Sequence, residues 1–125
     1  MKILLVEDNL MNQKVVIFNL KKFNCEITPI SNGKEALEKF KNNSYDLVLM
    51  DIMLPEMNGY EITTEIRKFE KLKEIKKPVT IIALTANTYE NDKEKCFSVG
   101  MNEYLSKPFT AQQLIKLIEK YIQPE

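Results

Sequence analysis

Leu47-Val48-Leu49-Met50-Asp51 constrains this chain more than any other stretch: four apolar residues run straight into one carboxylate. A short apolar run between turn formers reads as a strand buried on both faces, as in a parallel sheet covered by helices. Asp46 precedes it. Leu54-Pro55-Glu56-Met57-Asn58-Gly59 follows, and its Pro and Asn-Gly mark a loop. Asp51 is thereby placed at the carboxyl end of a central strand, the edge at which open α/β sheets bind ligands.

Strands and helices alternate around that centre. Ile3 to Val6 predicts a first strand ending at Glu7-Asp8, with Asn9 as the cap of the next helix. Met11, Val15 and Phe18 recur at helical spacing and read as its apolar face, flanked by Val16, Leu20 and Phe23. Cys25 to Ile30 predicts a second strand, and Pro29 suits it to a sheet edge. Asn32 and Glu35 cap a helix with Ala36, Leu37 and Phe40 on its apolar side, which Asn42-Asn43-Ser44 ends. A third helix starts near Gly59 and carries Ile62, Ile66 and Phe69 on one face. Lys68 to Lys77 reads as a solvated helix end and loop. Val79 to Leu84 is a second long apolar run, ending at Thr85. Tyr89 to Val99 predicts a polar, loosely held helix stopped by Gly100. Tyr104-Leu105-Ser106 leads to Lys107-Pro108. Thr110 and Gln113 form a capping box for a last helix with Leu114, Ile118, Tyr121 and Ile122 buried. Five β-α units at this spacing predict a parallel sheet with right-handed crossovers and helices on both faces.

Composition narrows the chemistry. A chain of 125 residues supports one core, so 1–125 is read as a single domain. Lys+Arg and Asp+Glu stand equal at 18, which gives no support for nucleic-acid or membrane-surface affinity. No apolar run approaches the roughly 20 residues of a membrane span. Acidic residues follow Val6 too soon for a secretory signal, and Cys25 and Cys96 have no metal or redox spacing. Free thiols in the cytoplasm are expected. Histidine is absent. That excludes imidazole as base, ligand or phosphoryl carrier, and with it Ser-His-Asp and Cys-His nucleophiles.

The strand ends then supply a pattern. The first strand ends in Glu7 and Asp8, the third in Asp51, the fourth in Thr85, and the fifth in Lys107. In a parallel sheet these ends share one edge. Each residue alone has an ordinary explanation: acids cap a helix, Thr closes a strand, Lys is solvated. Together they form three carboxylates, a hydroxyl and an ammonium in one shallow pocket. Clustered carboxylates repel, and Mg²⁺ resolves that with oxygen ligands. Lys107 and Thr85 suit a phosphoryl group, and a carboxylate can itself attack phosphorus to give an acyl phosphate.

Glu7-Asp8, Asp51 with Leu54-Pro55 and Asn58-Gly59, Leu84-Thr85-Ala86 and Lys107-Pro108 resemble the response-regulator receiver domain of two-component signalling. The resemblance spans essentially the whole chain, and from Leu84 to Phe109 it is most like receivers of hybrid histidine kinases. It implies a flavodoxin-like (βα)5 three-layer sandwich, α/β in class, with strand order 2-1-3-4-5. It implies Asp51 as phosphoacceptor. Mg²⁺ would be held by Asp8, Asp51 and the main-chain carbonyl of Met53, with Glu7 acting largely through water. Thr85 and Lys107 would contact the phosphoryl group, and the Lys107-Pro108 bond would be cis. By itself Tyr104 reads as a half-buried strand aromatic; the resemblance gives it the aromatic switch position.

These residues admit competing functions. In the first, a histidine kinase or histidine phosphotransfer protein donates to Asp51. Thr85 then moves toward the phosphoryl group, Tyr104 turns inward, and the face around it changes for a partner or output domain. The second is a phosphohydrolase with an aspartyl-phosphate intermediate. It wants an acid two residues after the nucleophile, where this chain has Met53. Met53 and Asn87 occupy positions that in this family modulate hydrolysis, and an apolar Met53 implies a long-lived phosphorylated state.

Overall fold

The computed structural model describes residues 1–86 and 90–121. Its elements run in strict alternation: β1 (Lys2–Val6), α1 (Leu10–Asn19), β2 (Glu26–Ile30), α2 (Gly33–Asn42), β3 (Leu47–Asp51), α3 (Gly59–Leu72), β4 (Thr80–Thr85), α4 (Glu90–Ser98), β5 (Glu103–Ser106) and α5 (Ala111–Glu119). All five strands are parallel, in the order β2-β1-β3-β4-β5. This is the expected flavodoxin-like arrangement. Pro29 lies on edge strand β2, opposite Leu5, where a missing N–H is tolerated.

The central strands point alternate residues into two separate cores. Leu4, Val6, Val48, Met50, Ile81 and Ala83 pack against α2, α3 and α4. Ile3, Leu5, Leu47, Leu49, Ile82 and Leu84 pack against α1 and α5, where Leu114 and Ile118 are fully buried. The unbroken apolar runs follow from this, because a strand covered on both faces has no solvent side.

Caps set the helix starts. Asn9, Asn32, Asn58 and Thr110 each accept a backbone N–H three residues on, and Asn58–Glu61 and Thr110–Gln113 are complete capping boxes. Gly100, at φ +107°, stops α4. The first residue of the expected 89–99 helix, Tyr89, lies outside the described residues, as does Ile122 of the last stripe. Among the described residues no helix is long and apolar enough to cross a membrane.

Two readings need correction. Met11, Val15 and Phe18 do not face the sheet; they are exposed, and α1 buries Gln13 and Val16 with Leu20 just beyond. The helix carries two apolar stripes, and periodicity alone cannot choose between them. Nor is the stretch from Lys68 to Lys77 wholly solvated, because Glu70 is buried. Its carboxylate accepts the Val79 N–H at 2.7 Å and pairs with Arg67 at 2.7 Å. Arg67 in turn donates to the carbonyls of Gly100 and Val79 and to Asn102 Oδ1. The guanidinium ties α3 to the starts of β4 and β5, a fork geometry that lysine lacks.

Candidate functional site at the carboxyl edge

Parallel register brings the strand ends together. Val6 pairs with Met50, Asp51 with Leu84, and Thr85 with Ser106. The backbone stays close-knit just past the strands: Ile52 N–H donates to Leu84 O, and Lys107 N–H to Thr85 O at 2.7 Å. Gly59 permits α3 to start against the end of β3, since a Cβ there would lie 2.7 Å from Asp51 O.

Glu7, Asp51 and Thr85 are buried, at 1%, 4% and 2% exposure, whereas Asp8 is exposed. Oxygens of Glu7, Asp8 and Asp51 lie within 4.8 Å of one another. Lys107 Nζ stands 2.9 Å from Glu7 Oε1 and 3.4 Å from Asp51 Oδ1. Met53 donates its backbone N–H to Asp51 Oδ1 at 3.2 Å and turns its side chain to solvent. The predicted acids and lysine therefore meet, with Thr85 at the adjoining strand end.

The electrostatics are lopsided. Burial pushes the Asp51 carboxyl up to about 6, and the charge and hydrogen bond of Glu7 add to this against the pull of Lys107. Burial also works on Glu7, but the hydrogen bonds from Lys107 and from the Asn9 N–H outweigh it and hold that carboxyl below its usual range. Lys107 is half-buried, which works against its charge, yet the two acids keep its ammonium above the ordinary lysine value. The resting pocket thus keeps Glu7 charged and Asp51 easily protonated. The donor set fits a hard divalent cation: three carboxylates, no nitrogen or sulfur, and one acid open to water. A cation there would offset the repulsion that lifts Asp51.

Tyr104 is half-buried on β5, opposite Ala83. Its ring meets Phe97 edge-on at 6.3 Å, and Lys93 Nζ lies 5.0 Å from its centre. Asn87 lies outside the described residues.

Sequence reasoning missed the α1 side chains around Glu7. Gln13 Nε2 donates to Glu7 O at 2.6 Å, and Asn12 Nδ2 reaches Glu7 Oε1 at 3.4 Å. A signal was present: Gln13 interrupts an otherwise apolar stripe with Val16 and Leu20.

Fold and pocket together define a doubly wound α/β domain with an acidic pocket at its carboxyl edge. The profile of the response regulator receiver domain matches residues 3–119, and the chain belongs to that family. Hybrid signal transduction histidine kinase B of Dictyostelium discoideum is 47% identical over 129 residues, covering 97% of this chain and 7% of that protein. Response regulator mcs4 of Schizosaccharomyces pombe is 37% identical over 141 residues, covering 95% of this chain and 27% of that protein. The chain thus spans only a small part of these curated relatives. Among solved structures, the receiver domain of sensor histidine kinase PA1611 from Pseudomonas aeruginosa holds a magnesium ion in its active-site cleft. It is 40% identical with a TM-score of 0.82, covering 96% of this chain and 95% of that one. The co-crystal structure of the Saccharomyces cerevisiae phosphotransfer protein Ypd1 with the Ssk1 receiver domain matches at 35% identity and a TM-score of 0.91. The match covers 97% of this chain and 88% of that one. Receiver domains are phosphoacceptor switches rather than conventional enzymes.

Proposed function

We propose that residues 1–125 act as one receiver domain in which Asp51 accepts a phosphoryl group from a phosphohistidine of a histidine kinase or phosphotransfer protein. One carboxylate oxygen of Asp51 attacks phosphorus. The O–P bond forms as the N–P bond breaks, and the imidazole leaves with its electron pair. Lys107 supplies a cation beside the transferring group, and Thr85 a hydroxyl at the next strand end. Asp8, Asp51 and the Met53 main-chain carbonyl, with Glu7 acting through water, would hold Mg²⁺, which would supply positive charge near the transferring group. The observation that carries this reading is Lys107 set between Glu7 and Asp51 inside a three-carboxylate cluster.

A protein donor has a surface to cover. Leu10, Met11, Val15 and Phe18 are exposed on α1. Val15 also lines a depression of about 410 Å³ shared with Glu7, Lys107, Pro108 and Phe109. Exposed apolar groups beside a reactive pocket suit transient docking. The added charge, about −1.5 to −2 at neutral pH, then draws Thr85 and lets Tyr104 turn inward, altering the face of α4, β5 and α5. Hydrolysis of the acyl phosphate is slow, because the Met53 side chain is apolar and positions no water. A cytoplasmic setting goes with this reading and suits the free thiols of Cys25 and Cys96. Incubation with acetyl phosphate and Mg²⁺ tests it. Stoichiometric label lost in Asp51→Asn is expected; label persisting in that variant, or multiple turnover on phosphomonoesters, overturns it.

A further inference from the structure

The setting of α1 about its own axis is unexpected for its composition. Leu10, Met11, Val15 and Phe18 are between 47% and 71% exposed, while Gln13 is buried at 7%. Hydrophobic burial alone would favour turning the other stripe inward, and a buried amide must find partners. Those partners lie on Glu7. Gln13 Nε2 donates to its main-chain carbonyl at 2.6 Å, Asn12 Nδ2 to Oε1 at 3.4 Å, and the Asn9 N–H to Oε2 at 3.1 Å. From the sheet side, Glu7 N–H donates to Ile30 O at 3.0 Å and Lys107 Nζ to Oε1 at 2.9 Å. Glu7 is gripped at its N–H, its carbonyl and both carboxylate oxygens. Rotating α1 to bury Met11, Val15 and Phe18 would withdraw both side-chain amides.

We propose that Gln13 is a positioning residue for the pocket. Its bond to the Glu7 carbonyl fixes the turn from β1 into α1, so that the carboxylates of Glu7 and Asp8 are presented to Asp51 before any cation arrives. The inference rests on the reading that this cluster holds Mg²⁺. Groups that orient metal ligands typically change affinity by about 10- to 100-fold when removed.

Mg²⁺ alone, titrated into the full chain and followed by ¹H–¹⁵N NMR, tests this. In wild type, the Gln13 side-chain amide is expected to be protected from exchange and to shift with the same midpoint as the Met53 backbone amide. Gln13→Met keeps length and loses the donor; it is expected to weaken Mg²⁺ binding about tenfold or more. Val16→Ala, which thins the same buried face without touching Glu7, is expected to stay within about twofold of wild type. Binding by Gln13→Met within twofold of wild type overturns the positioning role, as does an equal loss in Val16→Ala. A wild-type Gln13 amide indifferent to Mg²⁺ overturns it without any variant. Wild type failing to bind Mg²⁺ overturns the pocket reading as well, so the two failures are distinct.

Discussion

Lys107 lies nearer to Glu7 than to Asp51, 2.9 Å against 3.4 Å, so the resting ammonium belongs mainly to the acid that the reaction leaves unmodified. A phosphoryl group on Asp51 would compete for it. Lys107→Met should let both the Glu7 and the Asp51 carboxyls rise, since the ammonium lowers each. Carbon-detected NMR titration checks this. The rate of labelling by acetyl phosphate should fall on the order of a hundredfold, the usual scale for losing one stabilising group in a transfer step.

The pH dependence follows from Asp51. Its folded value stands at about 6 against an ordinary 3.8, so the native state binds the extra proton within that window. The contribution of Asp51 to stability without Mg²⁺ is therefore fullest below the lower value and is lost as pH rises through the upper one. At about 1.4 kcal/mol per unit the loss is on the order of 2–3 kcal/mol. Asp51→Asn should raise Tm in a chelator at neutral pH and flatten the profile between the two values. Mg²⁺ affinity should run the opposite way, tightening as pH rises through about 6. Thermal melts and calorimetric titration across that range are the measurements.

Among the described residues, Thr63 Oγ1 is buried without a hydrogen-bond partner. Thr63→Val keeps the shape and removes the unsatisfied group, whose burial costs about 1–3 kcal/mol. The variant should be more stable by about 1 kcal/mol in urea melts, with Mg²⁺ binding unchanged.

Arg67 and Glu70 form a part-buried pair at the opposite edge of the sheet, with side-chain exposures of 21% and 5%. Arg67→Met leaves the Glu70 carboxylate with the Val79 N–H but no countercharge, and should cost on the order of 3 kcal/mol of stability. Labelling of Asp51, measured well below the lowered melting point, should be retained.

The pocket was more legible than the helix beside it. Leu47 to Asp51 and Ile81 to Thr85 are apolar until their final residue, because strands covered on both faces admit a polar group only where they leave the sheet. That made Asp51 and Thr85 readable. The orientation of α1 was not, because Met11-Val15-Phe18 and Val16-Leu20 are both credible inner faces. What sets the orientation is polar, Gln13 on a main-chain carbonyl, and the sequence marks the amide but not the carbonyl it bonds. Glu70 was hidden for a related reason. Lysines and glutamates surround it, its partner Arg67 reads as one more solvated charge, and the Val79 N–H it accepts comes from the backbone.

Leu4 and Leu5 are neighbours in sequence yet belong to different apolar layers. The sheet therefore acts as a partition, and packing changes on one side have little direct contact with the other. At the rim that partition gives out. From one side Asn12 and Gln13 of α1 hold Glu7; from the other, Gly59 of α3 sits against the Asp51 carbonyl. A charge placed at that rim therefore has a lever on both layers at once, and an event confined to a single oxygen can be felt on opposite surfaces of the molecule.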